Sequence, residues 1–348
     1  MIVAEHATTP LIAELCARLL GETGRPIRID GHDIVVSASM GIARAPQDAC
    51  DASELLRLSD IALYRAKNAG RNRWVFYRPE MAEQIVQRRE MERSLREALK
   101  QQQFQLVWQP RFHLKSRQIV AAEALIRWQH PSLGTIMPDQ FIPLAEETGL
   151  IDHISQWVLH TACAEALAWP QPLAFSVNIS AQEFHTDGLL DRVKAAISAT
   201  GMDPLRLELE VTESAALWSP PESQALMYQL KALGIRLLVD DFGTGYSSLN
   251  YLRTFPFDGI KLDRSFITGL PDTGNASLIV ENIIGLGKAF SLSVTAEGVE
   301  THAQLDKLTA LRCDEAQGYL IAKPMSQARF IRQLSEAPSG EPAWQYPL

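Results

Sequence analysis

From Phe104 to about residue 334, short apolar runs alternate with stretches of helical period, and nearly every run ends at or near a polar side chain. Eight runs can be counted: Leu106-Val107-Trp108, Ala121–Ile126, Ala174–Val177, Leu205–Val211, Ile235–Val239, Gly259–Leu262, Leu292–Ala296 and Ala316–Leu320. Apolar runs this short, set between helical segments, read as buried strands. Eight of them with helices over about 230 residues fit the size and order of a (β/α)8 TIM-like barrel of the α/β class. An open doubly wound sheet has the same rhythm, and periodicity alone does not choose between them.

The remaining sequence reads as a second, smaller unit. Within residues 1–79 a strand-like start at Ile2-Val3-Ala4 leads to a helix over 9–20. Strands follow at Ile27–Asp30 and over 34–43, then a helix over 52–69 and a strand at Trp74–Tyr77, together an α+β pattern. Residues 80–101 have helical period and dense charge, as a linker helix with a solvated face does. The barrel is expected over 102–335, and the Pro-, Gly- and Ser-rich stretch 336–348 as a flexible tail.

Composition excludes several classes. A chain of 348 residues with 46% hydrophobic and 21% charged residues can bury a substantial core. Its net charge of −8 and lack of a basic face argue against direct binding of DNA or RNA polymers. A small anionic substrate remains open if bound cations reverse the local field. Cys16, Cys50, Cys163 and Cys313 are widely spaced and read as free thiols of a cytoplasmic protein. No apolar run of 18 residues and no signal peptide occur, so a membrane association is expected only through a region upstream.

Asp240 and Asp241 close the fifth run and open the loop Phe242-Gly243-Thr244-Gly245-Tyr246-Ser247-Ser248. Alone, the pair is an ordinary turn or helix cap. The other runs, however, deliver Gln109, Glu123, Asn178, Glu210, Lys261, Glu297 and Gln317 at or near their ends. In a barrel these ends share one face, where five acids, three amides and a lysine need cations to coexist. An oxygen-rich set without His or Cys suits Mg²⁺ or Mn²⁺. Two such ions about 3.5–4 Å apart are the usual device for phosphodiester cleavage. Lys261 would orient the attacking water or accept its proton. Arg127, four residues after Glu123, can fork onto phosphate or form a rim salt bridge, and spacing leaves both readings open.

The same residues resemble a known family. Glu123-Ala124-Leu125-Ile126-Arg127-Trp128 looks like the signature of the EAL cyclic-di-GMP phosphodiesterases. Further blocks of that family follow in order: Phe141–Glu146, Val177–Ser180, Glu210–Ser214, Asp240–Ser248, Ile260–Asp263, Ala296–Thr301 and Gln317–Leu320. The resemblance implies hydrolysis of cyclic di-GMP to linear pGpG with two Mg²⁺ or Mn²⁺ ions, Ca²⁺ being inhibitory. It implies that Glu123, Asn178, Glu210 and Asp240 bind one ion, and Asp240 and Asp241 the second. Lys261 and Glu297 would act on the water, Gln109 and Arg127 would contact the dinucleotide, and Gln317 would support the site. Glu213 would brace the loop after Asp241, which in this family couples activity to a homodimer formed through the barrel. A catalytically idle cyclic-di-GMP receptor is the competing expectation. Residues 1–79 resemble the second half of a GGDEF diguanylate cyclase domain at Ser39–Ala43, Ser59–Lys67 and Gly70–Arg73. The Gly-Gly-Asp-Glu-Phe signature is absent from this sequence, so this part is expected to be an incomplete, non-catalytic GGDEF-like fragment.

Overall fold

The structure, a computed structural model, describes residues 8–29, 32–217, 220–243, 250–271 and 275–336. The expected strand at Ile2–Ala4, the loop Thr244–Ser248 and the tail beyond residue 336 lie outside them. The chain divides into two compact units, residues 1–93 and 94–348.

In the first unit, helix α1 (Thr9–Thr23) precedes an antiparallel hairpin of β1 (Ile27–Ile29) and β2 (His32–Ile34). Strand β3 (Met40–Ile42) pairs in parallel with β4 (Trp74–Phe76) across helix α2 (Ala52–Asn68). Asp51 caps α2 by accepting the Glu54 N–H, and Leu58, Ala62 and Ala66 form its buried stripe. Gly41 lets β3 touch this helix, since a Cβ there would stand 2.0 Å from the Ser59 carbonyl oxygen. The strand expected over 34–43 is interrupted. Val35 and Val36 are exposed and residues 35–39 carry no ladder, so β-propensity there has no partner strand to act on. Helix α3 (Pro79–Lys100) follows.

The second unit is a closed barrel. Its chain order is β5 (Phe104–His113), β6 (Gln118–His130), β7 (Gly134–Ile136), α4 (Pro138–Glu147), α5 (Ile151–Leu167), β8 (Ala174–Ile179), α6 (Ala181–His185), α7 (Leu189–Thr200) and β9 (Leu207–Thr212). Then come α8 (Glu213–Leu217), α9 (Pro220–Ala232), β10 (Arg236–Phe242), α10 (Asn250–Thr254), β11 (Gly259–Leu262), α11 (Arg264–Thr268) and α12 (Asn275–Ala289). Strand β12 (Ser293–Ala296), α13 (His302–Ala310), β13 (Glu315–Ala316), β14 (Met325–Ser326) and α14 (Gln327–Glu336) complete it. The ring runs β5-β6-β8-β9-β10-β11-β12-β13 and closes back on β5, with β7 and β14 as outer additions. An open sheet is thereby excluded.

The barrel departs from a regular (β/α)8 in its first strand. Strand β5 is antiparallel to both β6 and β13, and all other ring pairings are parallel. A four-residue turn, with Arg117 at φ +58°, joins β5 to β6 where a crossover helix would be needed for parallel strands. The eighth run is also shorter than its apolar residues suggest, ending at Ala316. Beyond it Gly318 packs on the Val299 backbone, where a Cβ would meet atoms at 2.2 Å.

Alternation along β5 and β6 sorts the side chains. Leu106, Trp108 and Phe112 are buried between the ring and the helices, with Trp108 4.8 Å edge-on from Trp169 and also against Phe175. Gln109, Arg111 and Glu123 take the other side, inside the barrel.

Candidate active site

Four carboxylates meet one ammonium at the C-terminal ends of the parallel strands. Lys261 Nζ lies 2.6 Å from Glu210 Oε2 and 2.6 Å from Glu297 Oε1. Glu123 Oε2 and Asp240 Oδ1 each stand 3.5 Å from it. Asn178 Nδ2 donates to Glu123 Oε1 at 2.7 Å, and Gln317 Nε2 donates to Glu123 Oε2 at 2.6 Å. Gln317 also reaches Gln109 Oε1 at 3.3 Å, and Gln109 Nε2 donates to the Ala322 carbonyl. Gln109, Glu123, Glu210, Lys261 and Gln317 are all buried.

Adjacent strand residues normally point to opposite faces, which makes Asp240 and Asp241 a local problem. The register between β10 and β11 solves it. Val239 pairs with Ile260 and Phe242 with Leu262, so Asp240 and Asp241 together oppose Lys261 in a bulge. Asp241 takes φ +52°, a left-handed conformation that Asp tolerates better than most residues. Asp240 consequently faces the cluster while Asp241 is exposed beside it. Just beyond, the Gly243 N–H donates to Glu213 Oε2 at 3.4 Å.

The structure thus brings Gln109, Glu123, Asn178, Glu210, Asp240, Lys261, Glu297 and Gln317 into one connected cluster. Asp241 borders it. Arg127 is half-buried on β6 and donates Nη1 to its neighbour's carbonyl, Ile126 O, rather than to a site acid. Glu213 stands at the bulge, not in the cluster.

The EAL domain matches residues 92–324, two thirds of the sequence. This chain is an EAL-family protein. The diguanylate cyclase GGDEF domain matches residues 1–73, so the EAL domain here follows a GGDEF fragment. MucR of Pseudomonas aeruginosa, named a bifunctional diguanylate cyclase/cyclic di-GMP phosphodiesterase, is 39% identical over 327 residues, 93% of this chain and 48% of that protein. NbdA of the same organism, named a cyclic di-GMP phosphodiesterase, is 39% identical over 318 residues, 90% of this chain and 41% of that protein. The chain therefore spans less than half the length of these relatives. Among solved structures, the PaMucR phosphodiesterase in complex with c-di-GMP superposes with a TM-score of 0.67 at 41% identity, over 69% of this chain and 99% of that one. The EAL enzyme Bd1971, in its cAMP- and cyclic-di-GMP-bound form, gives 0.68 at 25% identity over 83% of this chain and 77% of that one.

Electrostatics show what the EAL cluster lacks. Burial pushes Glu210 well above the usual carboxylate range, and Glu123 beside it adds to the rise. Burial also lifts Glu297, to about 8, against the pull of Lys261. Burial would raise Glu123 as well, but Lys261 and the amides of Gln317 and Asn178 hold it low. Burial works to discharge Lys261, yet its four acidic neighbours keep it firmly protonated. For Asp241, burial, Asp240 and Asp263 all raise the carboxyl. Four acids around one lysine carry a formal −3, which invites protons or cations.

The donor chemistry fits a hard divalent ion. Among the described residues Glu210 Oε1 and Asp240 Oδ1 are buried with no hydrogen-bond partner, Asp240 Oδ1 having only its ion pair with Lys261. Asn178 spends its amino group on Glu123 and keeps its carbonyl oxygen available. As placed, Lys261 Nζ stands at the point the carboxylates share, and among the described residues no three acidic, His or Cys side chains surround an ion-sized point.

Sequence reasoning missed a second set of charges inside the barrel. Arg111 pairs with Glu208 and Glu315, and Arg236 also pairs with Glu208. The available signal was period two: Arg111 follows Gln109 by two residues, while Glu208 and Glu315 precede Glu210 and Gln317 by two.

Proposed function

We propose that this chain hydrolyses cyclic di-GMP to linear pGpG. The observation that carries the reading is Lys261 held between Glu210 and Glu297 at 2.6 Å each, with Glu123 fixed by Asn178 and Gln317 beside it. MucR and NbdA, whose names state cyclic di-GMP phosphodiesterase activity, support it, as does the likeness to a PaMucR phosphodiesterase structure with c-di-GMP.

In this reading Glu123, Asn178, Glu210 and Asp240 hold one Mg²⁺ or Mn²⁺, and Asp240 with Asp241 holds a second. Bound there, such ions neutralise the phosphodiester and make water a better nucleophile. The chain's own part is geometric and protonic. Asn178 and Gln317 lock both oxygens of Glu123, so that carboxylate enters the reaction without reorganising. Lys261, held protonated, orients the attacking water, and Glu297 takes its proton as the P–O3′ bond breaks. The released 3′ oxygen takes up a proton, and the new P–O bond leaves a 5′-phosphate on the linear product. Gln109 and Arg127 line the approach for the dinucleotide.

The Gly-Gly-Asp-Glu-Phe signature is absent from the sequence, so we assign no cyclase chemistry to residues 1–73 of this chain. We also infer that barrels pair as homodimers, with Glu213 and Gly243 linking the pair to Asp241; light scattering at several concentrations tests this. The main test is chromatography of cyclic di-GMP incubated with pure protein and Mn²⁺ or Mg²⁺, beside Glu123→Gln. Wild-type protein should form pGpG and the variant should not. Tight binding without turnover by wild type makes the chain a receptor instead.

A further inference from the structure

One layer deeper than the carboxylate cluster, the barrel interior is again charged. TIM-like barrels usually fill such a layer with branched apolar side chains. Here Arg111 Nη2 donates to Glu208 Oε2 at 2.5 Å, and Arg111 Nε stands 2.5 Å from Glu315 Oε2. Thr295 Oγ1 donates to that same Glu315 oxygen at 3.2 Å, and Arg236 Nη1 donates to Glu208 Oε1. Arg111 is 3% exposed and Glu208 fully buried.

Four of the five members lie two residues from a site residue on or just past the same strand. Arg111 is paired this way with Gln109 on β5, Glu208 with Glu210 on β9, Thr295 with Glu297 at β12, and Glu315 with Gln317 at β13. Residues two apart on a strand face the same way, so this layer is the floor on which the site stands. Stability does not account for it. Burying charges costs desolvation, and well-packed apolar residues of similar volume are commonly as stable or more so. What a planar, five-donor guanidinium offers instead is a fixed fork with set directions.

We propose that Arg111 is a positioning residue for the ion-binding site. Its guanidinium ties β9 to β13 by a hydrogen bond to Glu208 and an ion pair with Glu315, and Thr295 on β12 donates to that same Glu315. This sets the spacing at which Glu210, Glu297 and Gln317 meet around Lys261 and Glu123. The inference rests on the functional reading above only for the identity of the ion.

The test is a charge-balanced variant, Arg111→Met with Glu315→Gln, which leaves Glu208 paired with Arg236. It should fold with a melting temperature close to wild type. Its Mn²⁺ dissociation constant, measured calorimetrically without substrate, should rise about tenfold or more, as losses behind a metal ligand commonly do. Its kcat should fall further than its KM rises. Arg111→Lys, which keeps the charge but not the fork, should lie between. The ammonium resonance of Lys261 in ¹⁵N-labelled, metal-free protein, sharp in wild type, should broaden in the double variant. Wild-type Mn²⁺ affinity, kcat and Lys261 resonance in the folded double variant would overturn the proposal. A wild type that binds no Mn²⁺ would instead overturn the metal reading, with the positioning role then decided by the resonance alone.

Discussion

Replacing Lys261 by Met keeps the stem of the side chain and removes its charge, and the structure makes the two consequences separable. Nζ contacts Glu210 and Glu297 at 2.6 Å and stands 3.5 Å from Glu123 and Asp240. If it orients the water for proton transfer, kcat should fall by about 10²-fold or more, the usual worth of a positioned group in such a step. That is about 2.7 kcal/mol of transition-state stabilisation. The effect on cations has the opposite sign. A positive charge beside the ion site repels a divalent cation, so removing it strengthens Mn²⁺ binding. Stability should drop by about 3 kcal/mol at most, since breaking a buried pair costs roughly 3–5 kcal/mol and Glu210 and Glu297 can take up protons instead. Turnover at saturating cyclic di-GMP and calorimetric Mn²⁺ titration of the same sample give both readings. Misfolding would lower both together. A variant with wild-type kcat, or one whose Mn²⁺ affinity falls in step with kcat, refutes the role.

The metal-free protein should lose stability as pH rises. Glu297 titrates near 8 in the folded state and near its ordinary, lower value when unfolded, so its contribution is whole below about pH 4.3 and lost through pH 8. Thermal melts from pH 5 to 9 should show the decline, Glu297→Gln should flatten it, and an equal slope in that variant rejects the assignment. Gly318→Ala should lower the melting temperature by several degrees, because its Cβ would meet the Val299 N and O atoms at 2.2 Å, and overpacking costs about 1–3 kcal/mol. A melt like that of wild type would show that the Val299 segment yields freely. Ca²⁺ prefers a larger and looser oxygen shell than Mg²⁺, so it should bind but not support pGpG formation. Full turnover with Ca²⁺ alone would contradict the proposed ion site.

The site was legible because chemistry interrupts the apolar pattern. Glu123, Glu210 and Lys261 are charges placed where a buried strand otherwise demands Leu or Val, and no packing requirement explains them. The bulge that turns Asp240 toward the lysine and leaves Asp241 exposed beside it was not legible, since it depends on register with β11. The direction of β5 was within reach. Four residues between His113 and Gln118 can hold a turn but no crossover, yet counting apolar runs set the first strand too short to show that. Glu208 and Arg111 were hidden for another reason. Each sits beside a residue with an evident role, and only the pairing of distant strands reveals that they neutralise one another. At Val35-Val36 the sequence promises a strand, but a strand exists only where a neighbour supplies its hydrogen bonds.

The reversed first strand has a mechanical corollary. Because β5 runs against its neighbours, the chain enters the barrel at the rim that bears the carboxylate cluster. Gln103 is pinned there, its carbonyl accepting the Gln129 N–H and its side chain accepting the Trp128 indole N–H. From Phe104 onward, ten residue pairs bind β5 directly to the strand that carries Arg127 and Glu123. A tug or twist applied to the preceding helix, which three residues separate from β5, would be felt first at the mouth, through this two-stranded lever.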